Sequence, residues 1–190
     1  NFVFAIQRTM FAWEMISSAG ISRGSLKYLA DTGRLDQVSR GVYTLPEVWE
    51  DEFVSIQERY KRGVFALDTA LFLHDLTDRT PHKFHMAFPY GYNTSSPKAA
   101  GILCSCKKEP YYSLGIALVD TPAGNTVRAY NAEKTLCEIL KPISHTDIQI
   151  ITDAFKRYAG RKDKNIPLLS EYAHQLRVEK RLRPYLEVLL

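Results

Sequence analysis

The residues best placed for chemistry lie near the start of the chain, on a stretch that reads as a helix over 22–32. Arg23, Lys27 and Tyr28 fall on one face of that helix, opposite Leu26, Leu29 and Ala30. A guanidinium can pair in a fork with O6 and N7 of guanine, so Arg23 is the expected base reader. Lys27, one turn on, and Tyr28 are placed to reach bases or phosphates. The hydroxyls of Ser22 and Ser25 can donate to phosphates near the positive helix end. Arg40, with Gln37 and Ser39 nearby, belongs to a hairpin tip that would meet phosphate or enter the minor groove. A small interaction domain with an ordinary solvated face would carry the same residue types, and pattern alone leaves that reading open.

A second concentration of charge runs from 156 to 183. Lys156, Arg157, Arg161, Lys162, Lys164, Arg177, Lys180, Arg181 and Arg183 face only Asp163, Glu171 and Glu179, a local balance of +6. One reading is a solvated face whose long stems cover apolar surface. The other is a surface for an anionic partner such as RNA, DNA flanks or an acidic protein. The interleaved Tyr158, Tyr172 and Tyr185 fit apolar helical stripes, which favours packing over base stacking.

Catalytic signals are weak. His74, His82, His85, His145 and His174 are scattered. His82 and His85, read as three apart on one strand, would face opposite ways. No nucleophile elbow, phosphate-binding glycine loop, zinc-protease helix or dinucleotide fingerprint occurs. Asp31 and Asp36 stand too far apart for a two-metal carboxylate pair. Asp51, Glu52, Asp75 and Asp78 read as helix-surface or loop acids. Cys104 and Cys106 read as small residues on one strand face, without a second pair at zinc spacing. The expectation is no enzyme, no cofactor and no metal.

The elements that would carry these residues follow from periodicity and punctuation. Phe11, Met15 and Ile16 suggest a short helix over 10–20, ended by Gly20. Ser22 is a good N-cap for the next helix, with Ile21 and Leu26 as a hydrophobic staple and Gly33 placed to close it. Two short runs, 34–39 and 42–45, flank Arg40-Gly41 as a hairpin, and Pro46 ends the second. Helix, turn, helix, hairpin is the winged helix-turn-helix order. An acidic helix over 48–61 follows, with Trp49, Phe53, Ile56 and Tyr60 on one face. Another helix is expected over 68–76, strands over 82–88, 102–107, 115–121 and 126–130, and a loop over 90–97. Four apolar helical stripes then fill the chain from Asn131, stopped in turn by Pro142 and Gly160. Strands followed by helices indicate an α+β class. The expected organisation is a winged helix-turn-helix over 1–46, a linking helix over 47–62, and a larger mixed domain over 63–190 with a small sheet and a C-terminal helical bundle.

Composition sets the outer limits. The 190 residues are 45% hydrophobic and 24% charged, with net charge +4. That is ordinary for a globular protein with a sizeable core. The apolar runs are far short of the roughly 20 residues a bilayer needs, so no membrane span is expected. Three cysteines, odd and sparse, suit a reducing cytoplasm better than a disulfide framework. The first residue is Asn1 and only 2–8 remains for a helix ahead of the turn pair, so the native start is expected to be missing or diverged.

The ordered set of segments is similar to a known family. It comprises Gly20-Ile21-Ser22-Arg23-Gly24-Ser25-Leu26-Lys27-Tyr28-Leu29, Gly33-Arg34-Leu35 and Val38-Ser39-Arg40-Gly41-Val42-Tyr43-Thr44-Leu45-Pro46. It continues through Thr69-Ala70-Leu71, Leu73-His74-Asp75-Leu76-Thr77-Asp78-Arg79-Thr80-Pro81 and Phe88-Pro89-Tyr90-Gly91. Val127-Arg128-Ala129-Tyr130, Glu133-Lys134-Thr135-Leu136-Cys137-Glu138, Phe155-Lys156-Arg157-Tyr158 and the segments over 177–187 complete it. Together they resemble the AbiEi antitoxins of the AbiE abortive-infection system. The resemblance implies a type IV antitoxin that represses its own operon by binding inverted repeats in the promoter with its front domain. It implies a back domain that counters a nucleotidyltransferase toxin without a stable complex, in a system that limits phage spread. Two front domains on an inverted repeat need two chains, monomeric in solution or pairing on DNA. The alternative is a binding protein whose basic C-terminal helices engage RNA or the toxin, the winged helix serving as scaffold.

Overall fold

The computed structural model describes residues 10–12, 22–32, 35–39, 42–44 and 51–189. They fall into two compact units. One holds the described residues up to Lys61 together with Asp120–Val127, and the other holds the remainder.

The front unit contains β1 (Met10–Ala12), α1 (Arg23–Asp31), β2 (Asp36–Ser39), β3 (Val42–Thr44) and α2 (Glu52–Arg59). Its strands form an antiparallel sheet in the order β1-β3-β2. The expected helix over 10–20 is therefore wrong at its start, because Met10–Ala12 is a strand with Phe11 opposite Tyr43. A lone hairpin is marginal in water, and a third strand supplies the ladder bonds that β3 would otherwise leave to solvent. Residues 13–20 lie outside the described residues.

Helix α1 starts where expected. Ser22 is extended and its hydroxyl accepts from Ser25 N at 3.2 Å. Leu26 is buried, with Leu29 and Ala30 half-buried behind it. The helix closes at Thr32, whose hydroxyl donates to Tyr28 O at 2.8 Å and Leu29 O at 3.2 Å. The cap expected at Gly33, the staple residue Ile21 and the hairpin tip Arg40-Gly41 lie outside the described residues.

Of the expected helix over 48–61, Glu52–Arg59 is helical, and Tyr60 at its end is buried. Asp51 is not a surface acid. It is only 5% exposed and caps this helix, its Oδ1 accepting from Phe53 N at 3.0 Å and Val54 N at 3.4 Å. Its Oδ2 accepts from the Thr121 hydroxyl at 2.5 Å and the Asn125 amide at 3.0 Å.

The second unit contains β4 (Val64–Phe65), α3 (Leu67–Leu73), β5 (His85–Pro89), α4 (Ser95–Ala99) and β6 (Leu103–Lys107). Strands β7 (Ile116–Asp120) and β8 (Thr126–Tyr130) follow, apart from their ends within Asp120–Val127, then α5 (Ala132–Ile139), a 3₁₀ turn at Pro142–Ser144, α6 (Ile148–Ala159), α7 (Ile166–Leu176) and α8 (Glu179–Leu189). The five-stranded sheet runs β6-β5-β4-β8-β7. Strand β4 pairs antiparallel with β5 and parallel with β8, and β5 pairs parallel with β6, so the sheet is mixed. Strand β5 begins at His85 opposite Leu103. His82 lies outside it on an exposed bend, so the expected strand over 82–88 starts three residues late. The expected loop over 90–97 gives way at Ser95 to α4, which tolerates Pro97 in its first turn.

The helical stripes pack as their periodicity requires. Ile151, Ala154, Phe155 and Tyr158 of α6, Leu169, Tyr172, Ala173 and Leu176 of α7, and Leu182 of α8 share one core with Leu136, Cys137, Ile139 and Leu140. Every residue of α5 is buried, including Glu133, Lys134 and Glu138. No helix among the described residues is long and apolar enough to cross a membrane.

Gly115 seats α5. Its φ is +67°, its carbonyl accepts from Asn131 N at 2.7 Å, and Asn131 Oδ1 caps α5 by accepting from Lys134 N at 3.0 Å. A Cβ at Gly115 would stand 2.9 Å from Asn131 Oδ1 and 3.1 Å from the Lys134 side chain. Gly115→Ala is expected to cost about 2 kcal/mol, from the left-handed backbone and the crowding together. A denaturant midpoint shift at unchanged slope would report it.

Candidate nucleic-acid interface

Helix α1 brings most of the sequence-predicted front residues together. Ser22, Gly24, Ser25, Lys27 and Tyr28 are all exposed, and Tyr28 is 65% so. The Ser22 and Ser25 hydroxyls lie 3.0 Å apart and share a hydrogen bond. They cluster with the free amides of the first turn, where the helix dipole favours an anion. Arg23 is the first residue of the helix. Lys27, four positions later, is one turn further along the same side. Gln37 is exposed on β2, and Ser39, at the end of that strand, pairs with Val42 across the hairpin. The register slips between Gln37 and Ser39, a bulge that increases local twist. Arg40 lies outside the described residues.

The basic run divides by what its members hold. Arg161 donates from Nη1 to His74 O at 2.9 Å and from Nε and Nη2 to Asp163 at 2.9 and 2.6 Å. That guanidinium holds the Asp163 carboxyl down at about 2. Arg181 donates to Leu140 O at 3.1 Å, Lys164 to Ala159 O at 2.7 Å, and Arg157 pairs with Asp78 at 3.3 Å. These four cations are engaged within the chain. Lys156, Lys162, Arg177, Lys180 and Arg183 are exposed and make no ion pair among the described residues. Tyr158 and Tyr172 are buried, and Tyr185 stacks on Phe155 at 4.3 Å, so these rings belong to the core.

The most unusual polar site was not anticipated. Lys134 is completely buried. Its ammonium donates to Tyr111 O at 2.6 Å and Leu114 O at 2.7 Å, lies 3.2 Å from the centre of the Tyr130 ring, and is 3.8 Å from Glu138 Oε1. Lys107 bonds the same carboxylate oxygen. Burial lowers the Lys134 ammonium to about 7, against the pull of Glu138. Burial also lowers Lys141 and raises the Tyr130 hydroxyl, which donates to Tyr112 O at 3.0 Å. The signal available in the sequence was the Lys134/Glu138 spacing of four within one helix, which resembles any surface pair.

Histidine and cysteine chemistry is dispersed. His74 bonds Tyr130 O at 2.8 Å, and burial lowers its pKa. Cys104 is half-buried, Cys106 exposed and Cys137 buried, all as free thiols. Among the described residues no group of three His, Cys, Asp or Glu could hold a metal ion.

The described residues thus define a mixed α+β protein whose front carries a capped helix with an exposed polar face beside a small antiparallel sheet. Residues 5–46 match the family described as transcriptional regulator, AbiEi antitoxin, so the resemblance to that family is shown over this segment. The family is one of regulatory antitoxins, not of enzymes. No curated protein matches the chain. Among solved structures it is similar to the RV2827C protein from Mycobacterium tuberculosis, at 15% identity and a TM-score of 0.48, over 95% of this chain and 76% of that one.

Proposed function

We propose that this chain is the antitoxin of a type IV toxin–antitoxin phage-defence system, and that it represses its own operon by binding inverted repeats in the promoter. The reading rests on the AbiEi match at 5–46, which spans the helix whose exposed face carries Ser22, Ser25, Lys27 and Tyr28. Strand β1 ahead of α1, joined to the hairpin behind it, supports a winged helix-turn-helix. In that arrangement Arg23, Lys27 and Tyr28 read bases in the major groove, and Gln37, Ser39 and Arg40 brace on the backbone. The back unit counters a nucleotidyltransferase toxin in the cytoplasm without forming a stable complex with it.

The test is titration of the purified chain against its own promoter at two salt concentrations. Specific, salt-sensitive binding is expected. Arg23→Ala should weaken it by roughly 1–3 kcal/mol and relax sequence preference. Equal operator affinity of mutant and parent would remove Arg23 from the reading role.

The second reading has its own support in the five exposed cations of the C-terminal helices and the turns between them, which make no ion pair among the described residues. Charge reversal at Lys156, Lys162, Arg177 and Lys180 tests it without touching Arg161, which is bonded to His74 O and Asp163. Toxin neutralisation that survives this change makes the face a solvated surface only.

A further inference from the structure

A separate charged and aromatic surface lies in the second unit, where β5, β6 and α5 end. Tyr90, just past β5, is 70% exposed, and Lys108 lies 4.8 Å over its ring. The Tyr90 amide donates to Lys107 O at 2.8 Å, which holds these neighbours side by side. Lys107 reaches inward to Glu138. Lys141, just past α5, lies 6.0 Å over the ring of Tyr111, which is 40% exposed. Beneath them sits Lys134. Lys107 and Lys134 both lie against one buried carboxylate, Glu138, which also acts on Lys141. The other local acid, Glu109, is held by the hydroxyl and amide of Ser113. The surplus is positive, and burial already works against the charge on Lys141.

We infer that this patch binds single-stranded nucleic acid, with Tyr90 and Tyr111 stacking bases and Lys108 and Lys141 meeting the phosphates between them. Two exposed rings, each with a lysine beside it, provide both halves of sequence-tolerant strand binding, a π platform and a cationic track. An exposed cation–π contact is weaker than a base stack. A base can therefore take the ring while the lysine moves to the adjacent phosphate. Duplex DNA, whose bases are already stacked, cannot use the rings, so the patch is distinct in ligand and place from helix α1.

Fluorescence anisotropy of the full chain against labelled strands of about ten nucleotides, RNA and DNA, tests this. The parent should bind with a salt-sensitive affinity. Tyr90→Ala/Tyr111→Ala should weaken strand binding at least about tenfold, leave promoter-duplex binding unchanged, and keep the parental unfolding midpoint. Tyr90→Phe/Tyr111→Phe should retain strand affinity, because the rings remain. The single, highly exposed Tyr90→Ala serves if the double variant unfolds. Tighter binding to RNA than to DNA would name RNA as the ligand, and equal binding would make single-strandedness itself the recognised feature. No strand binding by the parent at low salt, no loss in the alanine variants, or an equal loss on duplex would overturn the proposal.

Discussion

Lys134→Met is expected to destabilise the chain by about 3 kcal/mol at pH 7, a large part of the stability of an ordinary domain. The methionine fills the volume but leaves Tyr111 O and Leu114 O without their donor, 2.6 and 2.7 Å from where the ammonium stood. Part-buried acceptors left without this donor carry much of the cost. Glu138 keeps Lys107 but loses its neighbour one turn back on α5. The same substitution changes the pH profile. With the native ammonium at about 7 and an ordinary lysine at 10.5, the unfolded chain binds more protons across that window. Stability therefore rises with pH from about 7, by up to about 1.4 kcal/mol per unit from this group. Lys141, lowered in the same direction, adds to the slope, while the raised thiol of Cys137 opposes it as pH approaches 9. Between pH 7 and 8.5 the parent should gain stability faster than Lys134→Met. Urea unfolding at several pH values measures both, and parallel profiles would mean that Lys134 stays charged throughout.

Asp51→Ala should cost nearly as much, about 3 kcal/mol. It removes the N-cap of α2, usually worth about 1 kcal/mol, and strips the Thr121 hydroxyl and the Asn125 amide of their buried acceptor. Asp51→Asn should cost about half as much. Its amide oxygen still caps the helix and the Thr121 hydroxyl can turn to accept, but the Asn125 amide loses the carboxylate oxygen it donates to. Thermal unfolding of the three proteins would rank them. An alanine variant as stable as the parent would show that water replaces the carboxylate at no cost.

Much of the local structure was legible in the residues themselves. Ser22 starts α1, Pro142 and Gly160 end helices, and the stripe of Ile151, Phe155 and Tyr158 predicted which side of α6 is buried. Each depends on neighbours within a turn or two, where spacing translates directly into geometry. The exposed face of α1 followed for the same reason, because its polar side is simply the complement of Leu26, Leu29 and Ala30. What the spacing of residues could not decide was pairing at a distance. Met10–Ala12 is a strand because β3 needed a partner, and Asp51 is buried because Thr121 and Asn125, seventy and more positions away, supply its donors. Lys134 and Glu138 look like a surface pair in any linear reading. Only tertiary packing closes the 109–114 turn and Tyr130 around them, turning an ordinary lysine into a desolvated cation whose charge depends on the carbonyls and carboxylate that face it.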